Sequence, residues 1–357
     1  MRKRSSKTPS QGATIADVAK AAEVSVPTVS RILNNKEYVA DETRDRVNQA
    51  IHKLGYVPHI QARRLRGGES RTLALHYPVE SPHLLSGVVE TPYITGAAAA
   101  AAVQEYYLNF LISQLTPHSL LNTYRSNQVD GMILLQVSLD DWRVNLLREH
   151  DYPFVMIGRC RDLDNLTFID LDFENAMLAA FDYLTTLGHR EIGFLTYPRS
   201  WRMAGLGPAV RSLEGYDQAL RKYGFRAHYR EIGLGEVEEG FAATLDLLDE
   251  NPQLTAIVTT SHFTAAGSIK ALTRRGYRVP EDRSVMAIAF GGIANGITPS
   301  LTALEWSPYD VSYQATLMMI DKLKQADLPA QQFLVAPELV IRESTQATPN
   351  QLAVSVQ

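Results

Sequence analysis

Cysteine is almost absent: Cys160 stands alone among 357 residues. A single thiol excludes an internal disulfide and suits a reducing compartment. Long apolar runs are missing as well. The alanine run 97–102 is too short and too weakly hydrophobic to span a bilayer. The basic N-terminus MRKRSSKTPSQG has no apolar segment behind it, unlike a secretory signal. A soluble, cytoplasmic protein with no membrane partner is expected. Catalytic signatures are scarce too: there is no His-Glu-x-x-His, Walker loop, Gly-x-Ser-x-Gly or cysteine pair. The nine histidines are scattered, and GLGEVEEG has glycines without a helix-capping phosphate geometry. The expectation is therefore no enzyme, no cofactor and no metal.

What is present is enough apolar material, 45% of residues, for sizeable cores, and a length that suits two or three domains. The net charge of −4 hides an asymmetry. Residues 1–71 hold 14 Lys and Arg against 7 Asp and Glu, or +7; the rest hold 21 against 32, or −11. A basic head on an acidic body points to a polyanionic partner for the head, unless the charge is only a solvated tail.

The head reads as three helices. Ile15, Val18 and Ala19 share a face, with Thr14 as N-cap and Asp17 at the third helical position. Ser25 caps a second helix, Pro27 fits its first turn, and Val29, Ile32 and Leu33 form its buried stripe. Asp41 caps the third, Val47, Ala50, Ile51 and Leu54 face inward, and Gly55 and Pro58 end it. Two short helices around a tight turn form a helix-turn-helix, whose second helix can enter a major groove. Val26 and Pro27 then suit thymine methyls, Ser25, Thr28 and Ser30 suit phosphates, and Arg31 suits a guanine edge. Asn34 and Tyr38 complete the candidate contacts of this region. A small helical bundle without nucleic acid would show similar spacing.

The stretch PHIQARRLRGGES places Leu65 among Arg63, Arg64 and Arg66, where a lone apolar side chain cannot form a core. Residues 14–68, with Val-Ser-x-x-Thr-Val-Ser-Arg, Leu-Gly-Tyr-x-Pro and Ala-Arg-x-Leu, closely resemble the DNA-binding head of the lactose-repressor (LacI/GalR) family of bacterial regulators. The resemblance implies that residues 58–70 hold a hinge helix ordered on the operator. Leu65 is then a wedge in a central base step, Ala62 allows close approach of a paired helix, and Arg66 lies among the phosphate-contacting arginines.

Beyond Arg71, short apolar runs alternate with helix-compatible segments. TLALHYP, DGMILLQV, PFVMIGR, LTFIDLD, REIGFLTYP, TAIVTTS and SVMAIAF are among the strands, which argues for doubly wound parallel sheets. The fold class is thus a small all-α helix-turn-helix head plus an α/β body of two doubly wound subdomains. The family implies a periplasmic-binding-protein-like body with three crossovers. The expected division is a basic, disordered tail 1–13, a DNA-binding domain 14–57, a hinge 58–70, an effector-binding and dimerisation domain 71–345, and a tail 346–357. One subdomain takes 71–170 with 291–320, the other 171–290 with 321–345.

Such sheets bind ligands beyond the carboxyl ends of their strands. Tyr77, His83 in the following SPH, Gln136, Arg159 and Asp170 hold such positions; Arg211 lies near the family's cleft arginine, and Trp201 and Trp306 offer aromatic platforms. Each has an ordinary surface or core reading beside the functional one. Three departures from the family stand out: Ser212 replaces an arginine, Ser261-His262 replaces Asn-Asp, and Gly291-Gly292 replaces Asp-Asp. The last removes a charged acceptor for sugar hydroxyls. The expected function is a dimeric, ligand-responsive repressor of carbohydrate-utilisation genes that binds a pseudo-palindromic double-stranded operator and is released by a sugar, a disaccharide or larger. A corepressor-dependent or activating regulator with a non-sugar effector, and a sugar-binding protein with an incidental basic head, are the alternatives.

Overall fold

The computed structural model describes residues 13–33, 39–56, 69–78, 90–233, 236–290 and 292–348. The chain divides into two units, Met1–Ser70 and Arg71–Gln357.

In the first unit α1 spans Ile15–Ala21, α2 Val26–Leu33 and α3 Asp41–Leu54. Thr14 and Asp17 form a reciprocal capping box, with bonds of 2.8 Å from Thr14 N and 3.3 Å from Asp17 N. The turn to α2 passes through Glu23 at φ 53°, and Ser25 Oγ accepts from Thr28 N at 3.3 Å. Val18, Ala19, Val29, Ile32, Val47, Ala50 and Tyr56 make the core. Two expectations shift. Ala40, not Asp41, is the N-cap of α3; Asp41 and Glu42 lie in the first turn, where carboxylates favour the helix dipole. Leu54 is 38% exposed because it ends the helix, beyond the reach of the other two. Gly55 terminates α3 at φ 59°, as its position predicts.

In the second unit β1 is Thr72–Tyr77, α4 Glu90–Val103, β2 Tyr107–Ile112, α5 Pro117–Arg125, β3 Gly131–Leu134, α6 Trp142–Glu149, β4 Phe154–Ile157 and β5 Phe168–Leu171. Then come α7 Phe173–Thr186, β6 Ile192–Thr196, α8 Arg199–Met203, α9 Gly207–Tyr223, β7 Tyr229–Glu231, α10 Val237–Glu250, β8 Ala256–Thr259, α11 His262–Arg274 and β9 Ser284–Phe290. β10 Thr302–Trp306, α12 Pro308–Lys324, β11 Gln332–Val335 and β12 Glu338–Val340 complete the unit.

The strands form two six-stranded sheets, β11-β5-β4-β3-β1-β2 and β12-β10-β9-β8-β6-β7. Pairing is parallel except for β10 with β12. β1, β3, β4 and β5 are buried along their whole length, which is why they read as mostly apolar runs without polar alternation. Helices cover both faces of each sheet. Val311, Ala315, Met318, Met319 and Ile320 of α12 join Ala97 and Ala101 of α4 on the first, with Leu120 of α5 and Val144 and Leu147 of α6 on its other face. Phe181 of α7 and Tyr216 of α9 cover one face of the second sheet, and Leu247 of α10 and Ile269 of α11 the other. Glycines set the helix spacing: a methyl on Gly96 would overlap the carbonyl of Tyr309, and one on Gly240 would sit 2.5 Å from Thr264 O.

The crossings between sheets fall later than expected. Residues 302–306 belong to the second sheet beside β9, and 308–335 return to the first, whereas the sequence reading gave 291–320 to the first and 321–345 to the second. LTALEW hides its strand character because Glu305 lies within it, paired with the distant Arg342 at 2.7 Å. α5, α8, α10 and β11 are also additions to the sequence reading. α10 starts just past the first two glycines of GLGEVEEG, with Glu236 as its N-cap and Gly240 inside it.

Candidate functional site

On α2, Val29 and Ile32 are buried. Ser25, Pro27 and Arg31 are exposed, and Val26, Thr28 and Ser30 are half-buried. The N-terminal end of the second helix therefore presents two hydroxyls and a proline away from the core, and its last turn adds the exposed guanidinium of Arg31. Ser25 also serves as cap and pairs with Thr28 Oγ1 at 2.8 Å. Asn34, Tyr38, Ala62, Leu65, Arg66 and His83 lie outside the described residues.

The second candidate site is a cavity of about 330 Å³ between the two sheets, within the range of small-molecule sites. Both sheets change strand direction order at one place, between β1 and β3 in the first and between β6 and β8 in the second. Doubly wound sheets bind ligands at that place. Tyr77 ends β1, Leu135–Val137 follow β3, Tyr197 and Pro198 follow β6, and Thr260–Phe263 follow β8, and all of these line the cavity.

Tyr77 Oη accepts from Gln136 Nε2 at 3.2 Å. Burial and the neighbouring Glu90 carboxylate push Tyr77 up to about 12, so it is a neutral phenol. Gln136 Oε1 is buried and has no hydrogen-bond partner. Across the cavity, His262 is 3% exposed and lies against Phe263 and Phe290, with ring centroids 4.2 and 5.9 Å away. Its Nε2 also has no partner, and burial holds its pKa below the usual value, so the ring is neutral. Ser261 takes the capping role for α11, accepting from Thr264 N at 3.1 Å, which leaves the His262 ring to the cavity.

The walls are aromatic. Trp201 stacks on Tyr197 at 5.7 Å, while Trp306 meets Tyr93 and Phe290 edge-on at 6.2 and 5.4 Å. Among the described lining residues there is no lysine or arginine, whereas Glu90, Asp170 and Glu236 are carboxylates.

Of the sequence candidates, Tyr77, Gln136, Asp170, Trp201, His262 and Trp306 line this cavity; Arg159 and Arg211 do not. Those two arginines stand behind Asp170. Arg159 bonds Asp170 at 3.3 Å and Glu174 at 2.6 Å; Arg211 bonds the carbonyl of Arg159 at 2.9 Å and lies 3.6 Å from Glu174. Burial pushes the Asp170 carboxyl up to about 7, against the pull of Arg211 and Arg159. Tyr197, Thr260 and Phe290 are lining residues that the strand-end rule would also have reached. Glu90 and Tyr93 belong to the first turns of α4 and carry no such signal.

Residues 14–59 match the family model of bacterial regulatory proteins, lacI family, and residues 181–345 match the periplasmic binding protein-like domain. The chain belongs to the lacI family of bacterial regulators. It is a helix-turn-helix transcriptional regulator, in a family made of regulators rather than enzymes. The HTH-type transcriptional repressor CytR of Escherichia coli strain K12 is 29% identical over 345 residues, covering 94% of this chain and 97% of the relative. The repressor PurR of Mannheimia succiniciproducens is 29% identical over 343 residues, covering 93% and 98%. In fold, the chain is similar to the Lac repressor dimer bound to operator and the anti-inducer ONPF (TM-score 0.80, 22% identity, 94% of this chain and 100% of that one). It is also similar to the CelR–cellobiose complex (TM-score 0.66, 24% identity, 93% and 99%). Like the lacI family as a whole, the chain combines a DNA-binding head with an α/β body; no helix among its described residues is long and apolar enough to cross a membrane.

Proposed function

We propose that this lacI-family member is a dimeric repressor of carbohydrate-utilisation genes, released from a pseudo-palindromic operator by an uncharged sugar bound between the two sheets. The observation that carries the effector reading is the cavity itself: aromatic walls for the apolar faces of a sugar, open polar atoms on Gln136 and His262 for its hydroxyls, and no lysine or arginine among the described lining residues for a phosphate. The carboxylates on its lining disfavour an anion further. A phosphorylated sugar fits poorly. The aromatic walls also suit a planar base, which makes a nucleoside the second reading.

On the DNA side, Arg31 reads a base edge in each half-site, and paired Leu65 side chains wedge the operator centre, within a head of residues 14–57 and a hinge of 58–70. An effector acts only through its different affinity for the operator-competent and released states, a coupling of ~1–3 kcal/mol in typical allostery. Thermal melts of the full chain with cellobiose, sucrose, glucose 6-phosphate and adenosine test the effector class. A neutral sugar at 100 times its Kd should stabilise by about 2.7 kcal/mol. Stabilisation by the phosphate alone overturns the reading, and by adenosine alone selects the second. Leu65→Ala should lose operator specificity yet keep weak, salt-sensitive DNA binding; unchanged operator affinity would remove the wedge.

A further inference from the structure

Outside the cavity, one buried cation organises the segment that enters it. Arg143, near the start of α6, is 3% exposed. Its Nε and Nη2 form a fork on Asp141 at 3.0 and 2.7 Å. Nη2 also donates to the carbonyls of Leu135 and Gln136, both at 3.1 Å. Nη1 donates to His76 Nδ1 at 3.0 Å. A guanidinium keeps its protons, so His76 accepts at Nδ1 and donates from Nε2 to Ser113 O at 2.9 Å. Burial, and then the Arg143 charge, holds His76 down at about 4, consistent with a neutral ring. The ends of β1, β2 and β3 are thereby tied to the start of α6.

The segment so held has two uses. Gln136 sits at φ 53°, a left-handed conformation that residues with a Cβ seldom adopt. Just beyond it, the chain bridges to the other half of the body: Leu139 N donates to Gly205 O at 2.7 Å and Gly207 N to Val137 O at 3.2 Å. Asp141 supports the same turn by accepting from Ser138 N at 3.2 Å.

We propose that Arg143 is a positioning residue for the cleft: by holding the carbonyls of Leu135 and Gln136 it keeps Gln136 aimed at the effector and residues 137–139 in register with 205–207. The effector part rests on the cleft reading above; the bridge part does not. Arg143→Lys keeps a positive charge beside Asp141, but a single nitrogen cannot serve Asp141, His76 and two carbonyls together. Hydrogen–deuterium exchange on the full chain, without ligand, reads the bridge. In Arg143→Lys, peptides holding Leu139 and Gly207 should exchange about tenfold faster while β4 and β9 keep their protection. In a Gln136→Gly background the same change should have little effect, because glycine adopts the left-handed conformation unaided. Unchanged bridge exchange, or a uniform rise across both sheets, overturns the proposal. Cellobiose titration adds a separate arm, with affinity expected to fall about tenfold in Arg143→Lys if the sugar reading holds. A wild type that ignores every sugar but shows the bridge effect defeats the sugar reading alone. A wild type that binds cellobiose beside an Arg143→Lys variant of equal affinity and intact bridge defeats the positioning role alone.

Discussion

In the first half of the body the last strand, β11, runs parallel to β5; in the second, β12 runs antiparallel to β10. Up to that point both sheets follow one wiring, with the second strand outermost, the first beside it, and the next three on the other side. Equal wiring puts equivalent strand ends at the cavity, and there the chemistry diverges. The first half offers an amide on a left-handed turn, locked by a buried arginine. The second offers an imidazole on the first turn of a helix, among rings. Topology thus decides where the cavity is, while a few side chains decide what each wall can hydrogen-bond.

The sharpest way to break this comparison is to overpack one half at a time. Gly96→Ala and Gly240→Ala each push a methyl into backbone and should each cost about 3 kcal/mol. Urea denaturation reads the outcome. A single transition shifted by either variant means that the halves unfold together; two transitions, moved separately, mean that they do not. A smaller effect is expected at the walls. Gln136→Leu and His262→Leu each delete one open polar atom, and each should weaken effector binding about tenfold by titration calorimetry. Loss on one side only would mean that the ligand turns its polar edge to a single half.

The smallest effect is a slope with pH. Each half buries one histidine held at about 4, His76 and His189, below the ordinary 6.5. Their stability is present above pH 6.5 and lost as pH falls through 4. Asp170, raised from 3.8 to about 7, works oppositely: its contribution is present below 3.8 and lost as pH rises through 7. Two histidines against one carboxyl leave about one proton uncompensated, so the wild type should still gain stability as pH rises from 4 to 6.5, less steeply than the histidines alone would give. Asp170→Asn, free of the opposing arm, should grow more stable as pH rises from 4 to 6.5, and parallel melting curves would exclude titration of Asp170.

Much of this was legible in the sequence where the cause is local. Thr14, Ser25 and Gly55 mark the ends of head helices through their own backbone bonds, and the buried strands announce themselves as apolar runs. Strand-end position pointed to Tyr77, Gln136 and Asp170, all of which line the cavity. Partners distant in sequence defeated it: Arg159 and Arg211 look like free cations until Asp170 and Glu174 are seen beside them, and β10 looks like a connection until Arg342 neutralises Glu305. The role of Arg143 was likewise hidden, since it depends on His76 and on carbonyls from another strand.

The passages between the sheets also order events on the ribosome. The helix that covers one face of the first sheet, with Met318, Met319 and Ile320 buried, is translated after β6 to β10 of the second sheet. A nascent chain halted just past Trp306 would carry five of the six strands of each sheet. Its second sheet would have α7, α9, α10 and α11 in place, and on one face its first would have α4 without α12. The half encoded first waits for α12 and β11 until most of the second half has been made, and its partly covered apolar face is what a chaperone would meet during synthesis.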